Sequence, residues 1–329
     1  MAKRILASLF VLSLLLGGGG AVALADGPPT AAEIDQFWAQ TLARLAKEPI
    51  DAKEELSNEP VAYVKSKVTY RSLDGVRISA YLAHPYETEG KVRRRFPAII
   101  TAPGYRGDGT GIELSESLRG YVILHVAPRS QGDSAALWKI DGPDFLTWHM
   151  AHPEGYFYQG AYCDMVRGVD YLCSRDDVDP QRIGAMGISQ GGGLVLATAA
   201  LDPRIKAVVA RIPFLCNMRL AATIDGSLAN TLLTRYHALS AENLNTFDYF
   251  DPLNLARRIE APTFMCAGGR DTTCPPATIR PVFDNLAGVK MLAIYPKMDH
   301  PSGTDSHAVE SFYEMGWEWM ERYLKRIQQ

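Results

Sequence analysis

Apolar positions recur along this chain in two rhythms. Between residues 31 and 47, Ile34, Phe37, Trp38, Leu42 and Leu45 stand three or four apart, which predicts an amphipathic helix. A charged connection follows, from Lys47 to about Pro60. Short β-rich runs then take over. Val68-Thr69-Tyr70 and the run at 76–82 flank Leu73-Asp74-Gly75, a hairpin signal. Further runs lie at 98–101, 121–126, 182–188, 206–210, 263–266 and 289–295, making eight candidate strands. Helical spacing returns between the later ones. Tyr162, Val166, Val169, Leu172 and Cys173 form one stripe, and a helix is expected over 190–201. Val309, Tyr313, Trp317, Met320, Leu324 and Ile327 form a C-terminal one.

An opening hairpin followed by strands alternating with helices predicts an α/β fold. Its sheet should have eight strands, mostly parallel, with helices on both faces. Sites in such sheets lie beyond the carboxyl ends of the strands. The expected division is a leader at 1–25, an N-terminal helical extension at 26–62 and a catalytic domain at 63–329.

The leader changes the picture first. Lys3 and Arg4 precede an apolar run at 5–16, and a small-residue stretch ends in Ala23-Leu24-Ala25. That is the pattern of a secretory signal with an Ala-x-Ala cleavage site, so a periplasmic or secreted protein is expected. The apolar run is short for a membrane span, and no stable insertion is expected after cleavage. The chain carries 34 basic and 37 acidic residues, a balance that argues against a nucleic-acid partner. Its five cysteines, Cys163, Cys173, Cys216, Cys266 and Cys274, lack the paired spacing of a zinc site. They leave room for one disulfide but not for a disulfide framework.

The candidate chemistry starts at Gly187-Ile188-Ser189-Gln190-Gly191, a Gly-x-Ser-x-Gly corner between the fifth strand and a helix. Such a corner holds a serine on an exposed turn and aims backbone N–H groups at what it attacks. Asp271 follows the seventh strand and His300 the eighth. The order Ser, Asp, His is the one used by α/β-hydrolases. A serine hydroxyl needs an imidazole to take its proton, and the imidazole needs a carboxylate to fix its tautomer. Ser189 is therefore read as nucleophile, His300 as general base then acid, and Asp271 as orienter, with Asp299 as the rival acid. Taken singly, Ser189 reads as a helix cap, Asp271 as a turn former and His300 as a surface residue. Their joint placement after three strand ends favours the catalytic reading.

An oxyanion hole should use the backbone N–H of Gln190 and a second donor from the glycine-rich loop at 102–109, for which Tyr105 is the candidate. His149-x-x-His152 lacks acidic or cysteine partners at a recognised metal spacing, so neither metal nor cofactor is expected. Glycines 191–193 match neither a dinucleotide fingerprint nor a phosphate loop. Trp317 and Trp319 read as packing.

At these motifs the sequence resembles the acetyl xylan esterase and cephalosporin C deacetylase family, carbohydrate esterase family seven. Gly187-Ile188-Ser189-Gln190-Gly191-Gly192 carries the likeness, with 200–209, 213–217, Tyr249-Phe250-Asp251, 254–256 and 271–276. The segment 158–164 with Arg167 also looks like the family. The resemblance implies an α/β-hydrolase that deacetylates small acetylated saccharides and assembles as a homo-oligomer, commonly a hexamer. By position it gives Ser189, Asp271 and His300 as the triad, and Tyr105 and Gln190 as oxyanion donors. Arg129 and Gln131 fall in a supporting motif. Three positions depart from the family: Ser130 within Arg129-Ser130-Gln131, Pro301 after His300, and Pro103 before Gly104-Tyr105.

The expected function is an exported serine esterase acting on acetyl esters of carbohydrates through an acetyl-enzyme. Two alternatives stand beside it: an exported peptidase of the same fold, and a carbohydrate-binding homologue with impaired catalysis.

Overall fold

The computed structural model describes residues 27–86, 95–107, 112–300 and 306–325. The expected leader at 1–25 lies outside them. In chain order the strands are β1 (Lys53–Leu56), β2 (Val64–Arg71), β3 (Arg77–His84), β4 (Phe96–Ala102), β5 (Val122–Ala127), β6 (Val178–Ile188), β7 (Ile205–Arg211), β8 (Thr263–Gly268) and β9 (Lys290–Tyr295). They form one sheet in the order β1-β2-β3-β5-β4-β6-β7-β8-β9. The first three strands join antiparallel, β3 pairs antiparallel with β5, and every pair from β5 to β9 is parallel. Among the described residues the sheet thus has nine strands, one more than the eight expected. The extra one, β1, lies within the segment read as a helical extension. All four of its residues are exposed, so no side chain alternates between core and water and periodicity had nothing to register.

The helices are α1 (Ala31–Leu45), α2 (Phe157–Cys173), α3 (Gln190–Leu201), α4 (Met218–Ala221), α5 (Leu228–Arg235), α6 (Ala241–Phe250), α7 (Pro252–Leu255), α8 (Pro276–Asn285) and α9 (Ser306–Leu324). Thr30 and Glu33 form a reciprocal capping box that starts α1. Its apolar stripe docks on the domain. Trp38 is fully buried, stacks on Tyr162 at 5.7 Å and donates its indole N–H to the Tyr249 carbonyl at 2.7 Å. The N-terminal helix is therefore part of the main core. The hairpin forms as read, with Arg71 opposite Arg77 and both Asp74 (φ 60°) and Gly75 (φ 72°) left-handed in its turn.

Alternate strand residues feed two cores. Ile100, Leu124, Ala185, Val208 and Met265 face one, under α1, α2, α3 and helices α4 to α8. Ile99, Ile123, Met186, Val209 and Phe264 face the other, under Phe312, Trp317, Met320 and Leu324 of α9. Helix α3 is buried along its whole length, held between the sheet and α2 and α7, so it shows no polar face. Its N-terminus and the C-terminal ends of β6, β8 and β9 meet on one side of the sheet. All five cysteines are free thiols.

His125 stands on β5 between Tyr81 of β3 and Thr101 of β4, and its Nδ1 has no hydrogen-bond partner. Burial pushes its imidazole down to about 4. Above pH 6.5 both folded and unfolded chains hold it neutral. As pH falls from about 6.5 to about 4, the unfolded chain binds a proton that the native chain refuses, and stability drops by up to about 3 kcal/mol. Urea midpoints compared at pH 7 and pH 4.5 should fall less in His125→Leu than in the parent. An equal fall in both would show that His125 does not set this slope.

Candidate active site

Ser189 sits between β6 and α3 with φ 54° and ψ −119°, a conformation that a side chain tolerates only under external constraint. The constraint is visible. Its N–H bonds to the Arg211 carbonyl at 3.0 Å, and its carbonyl accepts from Gly193 N–H at 3.1 Å and Phe214 N–H at 2.8 Å. A Cβ on Gly187 would lie 2.3 Å from the Gly191 oxygen, and one on Gly191 2.4 Å from the Ala102 oxygen. A Cβ on Gly193 would lie 2.3 Å from the Phe214 oxygen. These glycines therefore serve close backbone packing.

The loops after β8 and β9 carry the other two residues to this corner. His300 Nε2 lies 3.2 Å from Ser189 Oγ, and His300 Nδ1 lies 2.8 Å from Asp271 Oδ2. Asp271 is buried, and its other oxygen accepts the Cys274 N–H at 2.8 Å. With one oxygen fixed to backbone, the carboxylate cannot swing away from the imidazole. Asp299, the rival acid, is not the partner of His300 Nδ1. Pro301 lies outside the described residues.

The surrounding loops are tied by buried polar groups. Gln190 opens α3, where first-turn N–H groups have no carbonyl one turn back. Its side chain is fixed by the Tyr158 hydroxyl, which donates at 3.1 Å, and donates in turn to Gln131 Oε1 at 3.0 Å. The Tyr105 hydroxyl donates to the fully buried Asp144, which also accepts Leu146 N–H at 3.0 Å and Arg106 Nη2 at 2.7 Å. The Tyr105 ring packs edge-on against Phe145 and Phe214. Arg129 is buried against Asp164, with Nη2 to Oδ1 at 2.8 Å and Nε to Oδ2 at 3.1 Å. Ser130, the departure beside it, is left-handed (φ 66°), and its hydroxyl accepts Ile140 N–H at 3.1 Å.

Asp251 received no role from its sequence context. Its carboxylate accepts N–H from Asn217, Met218 and Leu253 at 2.6–2.8 Å, pinning a strained turn in which Ile212, Leu215 and Asn217 all have positive φ. Burial pushes that carboxyl up to about 7 in spite of the three N–H groups. The turn matters because Phe214 N–H holds the Ser189 carbonyl. Only its place in Tyr249-Phe250-Asp251, among the segments that carried the resemblance, marked it. Among the described residues no group of three His, Cys, Asp or Glu could hold a metal ion.

A family model described as acetyl xylan esterase (AXE1) matches residues 27–316. The chain belongs to the acetyl xylan esterase family. As a member it is a carboxylic-ester hydrolase. It is 26% identical over 312 residues to acetyl esterase Axe7A of Xylanibacter ruminicola, covering 89% of this chain and 67% of that protein. Among solved structures, the acetyl xylan esterase from Paenibacillus sp. R4 aligns with TM-score 0.77 and 30% identity, covering 88% of this chain and 94% of that one. Acetyl xylan esterase 1 from Thermoanaerobacterium sp. JW/SL YS485 shares the fold at TM-score 0.78 and 24% identity, with 91% and 95% covered.

Gly191→Ala tests the corner. The added methyl meets a backbone oxygen of β4 that cannot rotate away, so the loss should reach the upper end of overpacking costs, about 3 kcal/mol. Urea unfolding measures it. Stability within about 0.5 kcal/mol of the parent, the range of a neutral surface change, would mean that the close approach is dispensable.

Proposed function

We propose that this chain is an exported serine esterase that removes acetyl groups from small acetylated carbohydrates. The observation that carries the reading is the Ser189–His300–Asp271 relay, at 3.2 Å and 2.8 Å, on a serine held at a strained strand-to-helix turn. In this reading Ser189 Oγ attacks the acetyl carbonyl carbon while His300 Nε2 takes its proton. Asp271 fixes the tautomer that leaves Nε2 free and stabilises the imidazolium. The carbonyl oxygen becomes an oxyanion, held by the N–H groups of Gln190 and Tyr105. Collapse expels the sugar alkoxide, which takes the proton from His300, and leaves acetyl on Ser189. Water, deprotonated by His300, then releases acetate and restores the serine.

The backbone of Gln190 and Tyr105 needs fixed positions to do this. Tyr158 and Gln131 hold the Gln190 side chain, and buried Asp144 holds Tyr105. Arg129 braces the neighbouring turn through Asp164. The acetyl-saccharide preference rests on the family and on the acetyl esterase to which the chain is similar. The basic and apolar start with its Ala-x-Ala motif supports export to the periplasm or medium. The family resemblance supports a homo-oligomer as the working form.

Ser189→Ala should lower kcat on p-nitrophenyl acetate by about 10⁶, and Asp271→Asn by about 10⁴ through loss of the correct tautomer. Retained turnover in Ser189→Ala would remove the nucleophile assignment. Across acetate, propionate and butyrate esters the parent should favour acetate, and it should release acetate from acetylated xylo-oligosaccharides. Faster cleavage of aminoacyl amides than of acetyl esters would replace this reading with a peptidase. In an exporting bacterial host, N-terminal sequencing of the product should begin at Asp26. Product that keeps residues 1–25 would overturn export by this leader.

A further inference from the structure

A cavity lies at the N-terminal end of α2, apart from the serine corner. It has a volume of about 250 Å³, and none of Ser189, Gln190, Asp271, His300 or Tyr105 lines it. Its walls include Trp138, Trp148, His149, Asp74, Arg129 and Gly160. The two indoles meet edge to face, with ring centres 5.4 Å apart and planes at 85°. His149 stacks on Trp148 at 3.9 Å, and the Trp148 indole N–H is fixed to Asp141 at 2.7 Å. These walls are braced before anything binds, which keeps the ordering cost of a ligand low.

Arg129 supplies the decisive group. It is only 6% exposed, and its Nε and Nη2 are spent on Asp164 and the Leu73 carbonyl. Nη1 points away from that edge and has no hydrogen-bond partner among the described residues. A Cβ on Gly160 would lie 2.3 Å from Nη1, so the glycine lets the guanidinium lie flat along the helix beside the cavity. The Trp138 ring covers the guanidinium at 5.6 Å. A guanidinium N–H with no protein acceptor, beside an aromatic wall, is free to donate to a ligand oxygen.

The chemistry of the lining selects the ligand. The Arg129 charge is already met by Asp164, and the Asp74 carboxylate, bonded through Oδ1 to Arg44 at 2.8 Å, adds negative charge at the cavity. Both facts disfavour an anion. An alkyl chain would give Arg129 Nη1 no acceptor and would lie against the Asp74 carboxylate. A neutral ring with hydroxyls at its edge and C–H groups on its faces meets all the walls: hydroxyls accept from Nη1 and donate to Asp74, and the faces lie on indole. The volume falls just below the roughly 300 Å³ at which drug-sized ligand pockets begin, so it suits one ring and not an extended chain. We propose that this cavity binds one sugar ring of a neutral saccharide, separately from the esterase centre. The choice of a saccharide among polyols rests on the proposed carbohydrate function; the donor, acceptor and aromatic walls stand independently.

The test uses the full chain and methyl β-xyloside, which has no acetyl group to lose. Titration to about 100 mM, followed by tryptophan fluorescence and by saturation-transfer NMR, should give millimolar binding. Trp138→Ala should weaken that binding at least tenfold while p-nitrophenyl acetate turnover stays at the parent level. Asp74→Asn keeps a residue that tolerates the left-handed turn, and should weaken binding at least threefold; it decides the matter if the Trp138 variant fails to fold. No binding by the parent, or parent-like binding in either folded variant, overturns the site. Binding lost with Trp138 in a chain that never releases acetate from acetylated saccharides would keep the site and remove the function. Deacetylation with no Trp138-dependent binding would do the reverse.

Discussion

The close approach of α3 to the end of the sheet is the constraint on which the rest depends. It needs Gly187, Gly191 and Gly193, because a side chain at any of them would stand within 2.4 Å of a backbone oxygen. That approach keeps Ser189 at φ 54° and lets its main chain bond to Arg211, Gly193 and Phe214. It also fixes where the free N–H groups of the helix start lie relative to β4 and the Tyr105 loop. A helix set farther from the sheet would relax the serine and separate it from His300.

Around this corner, loops with little regular structure are held by buried carboxylates. Asp144 secures the Tyr105 loop, Asp164 the Arg129 turn, and Asp251 the strained turn at 212–218. Each binds backbone N–H groups or arginine, so none of these buried carboxylates lacks hydrogen-bond donors. The same solution recurs at Asp271, which divides its two oxygens between Cys274 N–H and His300. Strain and polar burial are thus concentrated at the carboxyl ends of the strands. The opposite face of the sheet is closed by the plain apolar packing of α9.

The chain order of local signals made much of this legible. Strands β2 to β9 were readable because apolar runs were bounded by turn residues, and α3 because an unbroken apolar run follows the glycines. Ser189, Asp271 and His300 were nameable because each follows a strand end, and the topology brings strand ends together. Strand β1 and helices α4 to α8 were not read: the strand is exposed on both faces and two of the helices span only four residues. Asp144, Tyr158 and Asp251 escaped because their partners lie 32 to 39 positions away, where no local pattern records a contact.

The sequence by itself determined the fold class and the family, and singled out Ser189 and His300 with Asp271 ahead of Asp299, since periodicity and motif spacing are local properties of the chain. The tertiary structure decided which carboxylate faces the imidazole, which loops are braced, and that Arg129 keeps one donor free over a cavity of tryptophans. Those outcomes depend on directions in space. Asp271 and Asp299 are equally acidic in the sequence, but only the turn after β8 carries a carboxylate to His300 Nδ1 with its second oxygen already anchored.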